Sequence, residues 1–353
     1  MDRADIEAIK LKHATLAGRK KLFVAALVGL ILAVAGAAIS MGSFPVPAVQ
    51  IPAILYRAAL GMAQPEPERA TVLLVLRLPR IAMGILAGIG LGVAGTVLQG
   101  ILRNPLASPT TIGISAAAGL GAALALILGV GPAGGKYLLI GNAFLFAMIP
   151  AAVIFLLARY RRTTPEIMIL AGIGLLYIFS ALTSLLQYVA ADDALRSMVV
   201  WLMGDLGRAK WGEIGATFGV MMLCVPLLVY KAWDLNVMAA GDETAQALGI
   251  HPERNRLLLM AVASLTTSTI ICFTGMIGFI GLVAPHICRI AIGGDHRYLL
   301  PASGIFGAAF LLLSDVAART LLAPVIIPVG IITACAGGPL FLYLILTHKK
   351  RHW

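Results

Sequence analysis

Two oppositely charged residues lie four positions apart in an otherwise apolar stretch: Asp315 and Arg319. On a helix this spacing brings a carboxylate and a guanidinium onto one face, where they can pair. A charge at membrane depth costs roughly 2.5–3.5 kcal/mol on insertion scales, so these two residues need a reason to be there. Two interpretations remain open. The pair neutralises itself and braces the helix, or Arg319 projects from the outer end of the helix toward an extracytoplasmic partner.

A second cationic motif, Arg77-Leu78-Pro79-Arg80, is predicted to lie at the outer start of an apolar helix. Proline suits the first turn of a helix, because the amide hydrogen that it lacks has no partner there. Two interpretations again remain. The arginines anchor the helix end at the membrane surface, or they bind the carboxylates of an acidic partner.

One polar segment, residues 241–249, is predicted to face the cytoplasm and to form a short helix. Asp242 and Glu243 favour the start of a helix, where its dipole is positive, and a glycine ends it. Ala245 and Leu248 then form a small apolar face that suits a groove of another protein. A solvated connecting helix is the alternative that these residues leave open.

Several glycines match a nucleotide-binding pattern as text but not in context. Gly90, Gly92 and Gly95 have the spacing of the dinucleotide fingerprint, yet they lie inside an apolar helix and not between a strand and a helix. Gly84, Gly88 and Gly92 are better explained as a small-residue face that lets two membrane helices approach closely.

Other candidate chemistry is weaker still. Gly134-Gly135-Lys136-Tyr137 lacks the spacing and the hydroxyl residue of a phosphate-binding loop, so any ATP is expected to bind another subunit. The cysteines stand singly in or beside apolar segments, without the paired spacing of a metal site or a disulfide framework. They are predicted to be buried packing thiols: Cys224, Cys272, Cys288 and Cys335.

The elements that carry these residues are predicted from composition. Of 353 residues 60% are hydrophobic and 12% are charged, against about half and a quarter in soluble domains. A helix needs roughly 20 apolar residues to cross a hydrocarbon core about 30 Å thick. About ten segments meet this need, and the predicted fold is an all-α membrane bundle with spans at 22–40, 81–102, 111–130, 138–157, 167–190, 214–230, 257–275, 276–292, 299–321 and 328–346.

The distribution of charge predicts the orientation of the bundle. The net charge is +11, and with ten spans and a cytoplasmic N-terminus 18 of the 27 Lys and Arg residues lie inside and 9 outside. This excess follows the positive-inside rule, so the basic character indicates topology and not nucleic-acid binding. A cleaved signal peptide in place of the first span is the alternative, and it would reverse the asymmetry.

These predictions divide the chain into one domain with two tails. A cytoplasmic N-terminal tail occupies residues 1–21, a transmembrane domain 22–347 and a cytoplasmic C-terminal tail 348–353. The largest cytoplasmic loop lies at 231–256 and contains the predicted short helix. Because the chain has almost no aqueous domain, its work is predicted to be transport.

Six stretches, in order along most of the chain, resemble one family of membrane proteins. They lie at 77–80, 98–107, 112–115, 241–249, 278–286 and 328–334. Together they are similar to the FecCD-type permeases, the membrane subunits of bacterial and archaeal ABC importers for iron–siderophores, haem and vitamin B12.

This resemblance implies a type II importer fold in which two copies of the chain form a homodimer around a translocation path. An ABC ATPase dimer is expected at the cytoplasmic face, where it would bind the ATP. An extracytoplasmic substrate-binding protein would deliver the metal chelate from above. The chain itself would have no catalytic site and would bind no cofactor and no metal. Its expected location is the cytoplasmic (inner) membrane of a bacterium or archaeon.

The resemblance also implies roles for residues that match the family's motifs. Arginines that meet acidic residues of the binding protein match Arg77, Arg80 and Arg319. The helix that couples to the ATPase matches Gly241, Asp242, Glu243, Ala245, Leu248 and Gly249. The cytoplasmic gate, at the start of the helix that lines the path, matches Thr164, Pro165 and Glu166.

Two positions depart from the family pattern. Ile326-Ile327 stands where the family usually carries Glu-Leu, and Glu166 stands where small hydroxyl residues are common.

Two other classes of function remain open. An ion-coupled secondary carrier should show inverted repeats and a carboxylate at the midplane, for which Asp315 is the candidate. A membrane enzyme would need convergent His, Asp or Cys residues, which the pattern does not offer.

Overall fold

A computed structural model describes residues 3–42, 44, 46–132, 134, 135, 137–160 and 164–347, with the backbone alone at 3–17, 344, 345 and 347. The predicted C-terminal tail at 348–353 and the charges assigned to Lys136, Arg161 and Arg162 lie outside the described residues. Within the described ranges the chain is all-helical and contains no β-strand. The predicted fold class is therefore confirmed.

The described part of the chain forms fifteen α-helices. They are α1 (Arg3–Ser40), α2 (Ile51–Ala59), α3 (Pro67–Thr71), α4 (Leu78–Leu102), α5 (Ile114–Ala123), α6 (Tyr137–Leu157), α7 (Pro165–Tyr188), α8 (Asp192–Leu202), α9 (Trp211–Tyr230), α10 (Ala232–Ala239), α11 (Asp242–Ala247), α12 (Pro252–Thr274), α13 (Ile280–Ile292), α14 (His296–Thr320) and α15 (Val329–Thr347).

Ten of the helical stretches correspond to the ten predicted spans. Seven are long and apolar enough to cross a membrane, and three shorter apolar stretches accompany them at Ile114–Leu128, Ile280–Ile292 and Val329–Tyr343. The predicted N-terminal tail does not stand apart from the first span, because α1 continues through it from Arg3.

Helix α4 lies at the centre of the bundle, in contact with α9, α12, α13 and α14. A Cβ atom added at Gly88 would lie 2.3 Å from the Cα of Ala308, and one at Gly92 would lie 2.3 Å from the carbonyl oxygen of Ser303. These separations place the backbones of α4 and α14 in direct contact, as small residues permit. The predicted packing face at Gly84, Gly88 and Gly92 is therefore confirmed.

The second span begins earlier than predicted. Pro79 occupies the first turn of α4, as predicted, but helical backbone runs without a break over Pro67–Leu102, so this turn is not a free helix end. Wider helical turns at Val72–Arg77 precede the proline. Wider turns relieve the clash between a proline ring and the preceding turn, which is how the helix continues through this point.

Short helices follow two of the long ones. The loop after α1 contains α2, and the segment after α7 contains α8. Trp201 of α8 is buried, with 1% of its surface exposed. Its indole packs with Met198, Ile271 and Cys272 in a hydrophobic cluster. The apolar face of α8 thus covers the bundle.

A non-helical connection separates the short helix α13 from the end of α12. Gly275 and Phe279 have φ angles of 71° and 67°, and the residues between them form a non-helical connection. Within α13, Arg289 donates a hydrogen bond from Nη2 to the side-chain oxygen of Gln99 on α4 at 3.1 Å. A polar contact therefore joins α13 to the central helix.

The cysteines divide into two groups. Cys224, Cys272 and Cys288 are buried, as predicted for packing thiols. Cys335 is exposed on the surface of α15, so the prediction of burial is wrong for this residue. All four are free thiols.

Candidate functional site

The buried charges at one end of the bundle form a single network around Asp315. This residue of α14 is fully buried and accepts a hydrogen bond from Nε of Arg80 at 2.6 Å and another from Nε of Arg319 at 3.0 Å. Nη1 of Arg80 lies 3.6 Å from a carboxylate oxygen of Asp205. The predicted pairing of Asp315 with Arg319 is confirmed, and the structure adds Arg80 as a second partner.

Arg319 of this network and the nearby Arg77 cap the end of α1. Nη1 of Arg77 donates to the carbonyl oxygens of Ile39 at 2.5 Å and Ser40 at 3.2 Å. Arg319 donates from Nη1 to the carbonyl of Met41 at 2.9 Å and from Nη2 to that of Ala38 at 3.3 Å. The last carbonyls of a helix lack intrahelical donors and carry partial negative charge, so guanidinium groups stabilise this end.

The position of these side chains bears on docking to a partner. Arg77 is 5% exposed, and Arg80 and Arg319 are each 7% exposed. Their guanidinium groups are bonded within the chain, so binding to an external carboxylate requires an exchange of partners. Docking at these arginines stays a prediction. Ile326, one of the two departures from the family pattern, is half exposed beyond the end of α14.

At the opposite end, α11 is attached to the bundle through Asp242. Arg103, which follows α4, and Arg256 of α12 both donate from Nη2 to the same carboxylate oxygen of Asp242. The Nε of Arg103 also donates to the carbonyl of Met238, at the end of α10, at 3.1 Å. Nε of Arg256 donates to the carbonyl of Ile101 in α4 at 3.3 Å. Three helix ends therefore meet at one carboxylate.

Electrostatics keep this carboxylate ionised. Partial burial by itself raises the pKa of Asp242, but hydrogen bonds and positive charge from Arg256 and Arg103 outweigh that effect. The pKa therefore lies below its usual range, and Asp242 is negatively charged at neutral pH.

The surface of α11 differs from the predicted apolar face. Ala245 is fully buried and packs with Val237, Met238 and Ile250 of the same chain. The prediction that Ala245 lies in a partner's groove is wrong, because α11 uses this residue to pack against α10. Leu248 is 65% exposed, and Glu243 and its polar neighbours are exposed as well. The exposed part of the segment is thus a polar surface with one leucine.

A second tie joins α10 to α14. The side-chain amide of Asn236 donates to Asp295 at 2.8 Å, and its oxygen accepts from the backbone N–H of His296 at 2.8 Å. Hydrogen bonds from Arg297 and from Asn236 hold the pKa of Asp295 well below its usual range. The cytoplasmic loop at 231–256 is therefore fixed to the bundle at two points.

Sequence reasoning identified Asp242 but missed its partners. Arg103 and Arg256 were counted as positive charges on the inner side, and Asn236 was not singled out. Arg103 lies in one of the stretches that resemble the family, 98–107, and its left-handed backbone (φ 47°) marks the end of α4. Arg103 lies 139 positions from Asp242 and Arg256 lies 14 positions from it, so neither pairing has the three- or four-residue spacing that would indicate it.

The predicted gate residues begin α7. Thr164 is the N-cap of the helix, where its Oγ1 accepts a hydrogen bond from the backbone N–H of Ile167 at 3.5 Å. Pro165 occupies the first turn and is buried, whereas Glu166 is exposed. A hydroxyl cap followed by proline is a stable start for a helix. A gating role for these residues stays a prediction.

The all-helical bundle, with short helices packed against one end of its long ones, is the fold of a membrane transport subunit. The chain belongs to the FecCD transport family, whose model matches residues 30–347. Members of this family are permease subunits of ABC transporters, which are not themselves catalytic and which work with ATPase subunits and a substrate-binding protein.

Named relatives are similar over most of their length. The cobalamin import system permease of Halobacterium salinarum is 38% identical over 329 residues, covering 90% of this chain and 86% of the relative. The hemin transport system permease of Yersinia pestis is 37% identical over 278 residues, covering 78% of this chain and 83% of the relative. A solved structure described as an inward-facing conformation of an ABC transporter of metal-chelate type superposes with a TM-score of 0.81 at 32% identity, covering 92% and 99%.

Proposed function

We propose that this chain forms one half of a homodimeric permease that carries a metal chelate across the cytoplasmic membrane of a bacterium or archaeon. The chelate is an iron–siderophore, haem or a cobalamin. ATP is bound and hydrolysed by a separate ATPase dimer, and the chain itself holds no nucleotide and no cofactor. A substrate-binding protein delivers the cargo from the outer side.

The observation that carries this proposal is the attachment of α11. An exposed helix bearing Leu248 is bonded through Asp242 to the ends of two long helices of the bundle. A partner that grips α11 can therefore move membrane helices, which is what an external ATPase must do. Family membership supports the same conclusion.

The cargo is proposed from the relatives. Their names state cobalamin and hemin, and the solved neighbour is of metal-chelate type. These cargoes share a metal held in a large organic ligand. Selection among them is assigned to the binding protein, which would deliver the cargo.

Docking of the binding protein is proposed at Arg77, Arg80 and Arg319. Carboxylates of the docking protein would replace the carbonyl oxygens of α1 as acceptors for Arg77 and Arg319. A guanidinium binds a carboxylate more strongly than it binds a neutral carbonyl, because both partners are then charged, so the exchange is favourable once the partner has excluded water. Docking would then loosen the outer end of α1.

Reconstitution tests the proposal. The permease, the ATPase and the binding protein encoded beside it are placed in proteoliposomes, and uptake of radiolabelled cobalamin, haem and a ferric siderophore is measured. We expect uptake of one of these to require both ATP and the binding protein. The matched control is an ATPase whose phosphate-binding lysine is replaced by alanine, which should abolish uptake. Uptake that continues with this ATPase would contradict the proposal.

An ion-coupled carrier is the competing function, and Asp315 is its candidate carboxylate. Within the described residues, Asp315 is bonded to Arg80 and Arg319. A carboxylate that holds two buried arginines in place has a structural role in the bundle, which argues against the carrier. Uptake driven by a proton or sodium gradient in the absence of ATP would favour the carrier.

A further inference from the structure

Two arginines converge on Asp242, the first residue of α11. Arg103 extends from the end of α4 and Arg256 from the first turns of α12, and both bind the same oxygen of Asp242. The side chain of Arg256 is 1% exposed, whereas those of Arg103 and Asp242 are about one-third exposed, at 35% and 37%. The junction is therefore dry on the side of the bundle and open on the side of the cytoplasm.

The same arginines also bind backbone oxygens on either side of this junction. Arg103 donates to the carbonyl of Met238, and Arg256 to that of Ile101. The end of α4, the end of α10 and the start of α11 are thus joined by charge-assisted hydrogen bonds, which are stronger than bonds between neutral groups. Displacing α11 without moving α4 and α12 would separate the buried guanidinium of Arg256 from its carboxylate, which is energetically unfavourable.

Helix α4 carries a displacement into the bundle. Its backbone touches α14 at Gly88 and Gly92, so there are no flexible side chains between them to absorb movement. Helix α4 also contacts α7. The junction at the end of α4 therefore lies between the segment that a partner would grip and the helix proposed to line the path.

We infer that Asp242, held by Arg103 and Arg256, is the positioning residue through which movement of α11 reaches the transmembrane helices. This inference rests on the proposed function, since it assumes that an ATPase grips α11. It separates two tasks within the segment. The exposed surface around Leu248 binds the partner, and the Asp242 junction transmits the partner's movement.

The test compares variants of the junction with matched neighbours in the reconstituted complex. Asp242→Asn removes the charge of the carboxylate, and Arg103→Gln removes the more exposed of its two partners, a change that the bundle can tolerate. Glu253→Gln and Arg254→Gln are the controls, because both residues are exposed, lie near the junction and stand outside the segment 241–249 that a partner would grip. Three quantities are measured: ATPase retained on purification, basal ATP hydrolysis, and cargo taken up per ATP hydrolysed.

We expect both junction variants to retain the ATPase, while the cargo taken up per ATP hydrolysed falls about tenfold, within the range of ordinary coupling free energies. Both controls should behave like the wild type. Unchanged uptake per ATP in both junction variants would overturn the inference, and so would an equal fall in the controls. Release of the ATPase from both junction variants would overturn it as well, since Asp242 would then shape the docking surface alone.

Failure of the proposed function gives a different result. If the wild-type permease neither retains an ATPase nor supports ATP-dependent uptake, the importer function itself is contradicted. The comparison among variants would then have no baseline, so the two failures are distinguished by the wild type alone.

Discussion

Asp315 explains how a bundle this apolar can hold three charged side chains in its interior. Its two oxygens are each bound by a different guanidinium group, from Arg80 and Arg319. A lone charge at this depth would be expensive, but a carboxylate shared between two cations gives each of the three charges an opposite neighbour. Among the described residues, Nη2 of Arg80 is the one nitrogen of the two guanidinium groups that is buried without a hydrogen-bond partner. Asp315 therefore has a structural role in the bundle.

Replacing Asp315 with asparagine should destabilise the protein strongly. The substitution leaves Arg319 buried without an anion and leaves Arg80 with only the more distant carboxylate of Asp205. Breaking a buried pair in this way costs about 3–5 kcal/mol. Thermal unfolding of the purified permease in detergent measures the change. Asp192→Asn is the control, because Asp192 is exposed at the start of α8. Equal unfolding temperatures for the two variants would show that the network contributes nothing.

At the scale of elements, the contact between α4 and α14 depends on glycines. Gly92→Ala should push the two helices apart, because the new Cβ would lie 2.3 Å from the carbonyl oxygen of Ser303. Overpacking of this kind costs about 1–3 kcal/mol. Thermal unfolding again provides the measurement.

The matched control for that substitution is Gly219→Ala in α9. No heavy atom lies within 4 Å of a Cβ added at Gly219, so alanine should be neutral or should stabilise the helix by up to about 1 kcal/mol. If Gly92→Ala were as stable as Gly219→Ala, the direct backbone contact between α4 and α14 would be refuted.

The exposed leucine of the α11 segment gives a further prediction. Leu248→Asp should release the ATPase on purification, because a charge would replace the one large apolar side chain that this segment exposes among residues 241–249. Co-purification of the ATPase with tagged permease measures the effect. Leu60→Asp is the control, as Leu60 is similarly exposed (57%) but lies after α2 at the other end of the molecule. Full retention by the Leu248 variant would count against docking at this segment.

Much of the architecture could be predicted from the sequence, for a physical reason. A membrane-spanning helix makes its backbone hydrogen bonds internally and must be apolar over a fixed length. Each span can therefore be recognised from one continuous stretch of residues. The glycine face of α4 was predictable for the same reason. The early start at Pro67 was not, because wider turns at Val72–Arg77 remove the expected effect of Pro79.

The site was less predictable because its contacts are distant in sequence. Asp242 was identified from its place at the start of a short helix, but Arg103 lies 139 positions away. Ala245 was assigned to the wrong surface, since a six-residue helix carries no pattern that tells its packed face from its free one. Arg77 and Arg319 were identified as candidates from their charge. Their hydrogen bonds to the carbonyl oxygens of α1 were not predictable, because these bonds depend on backbone positions that side-chain patterns do not encode.

At the scale of the whole molecule, the two ends of the bundle differ in what they expose. The end that holds α2 is predicted to face outward, and the end that holds α11 to face the cytoplasm. Single cysteines test this orientation in a variant without the native cysteines, expressed alone in cells. Met62→Cys should react with a membrane-impermeant maleimide in intact cells, and Leu248→Cys should react after permeabilisation. Both residues are more than half exposed, at 51% and 65%, so access is set by the membrane. The opposite labelling pattern would reverse the proposed topology.

The capping of α1 by Arg77 and Arg319 has a consequence for how this protein can diverge. The two arginines bind carbonyl oxygens, which every residue type supplies, so substitutions at residues 38–41 leave the contact intact. An insertion or deletion within α1 is different, because each residue turns the helix by about 100° and shifts it by about 1.5 Å. Across related chains, the outer end of α1 is therefore expected to drift in sequence while its length, measured back from the arginines, stays constant.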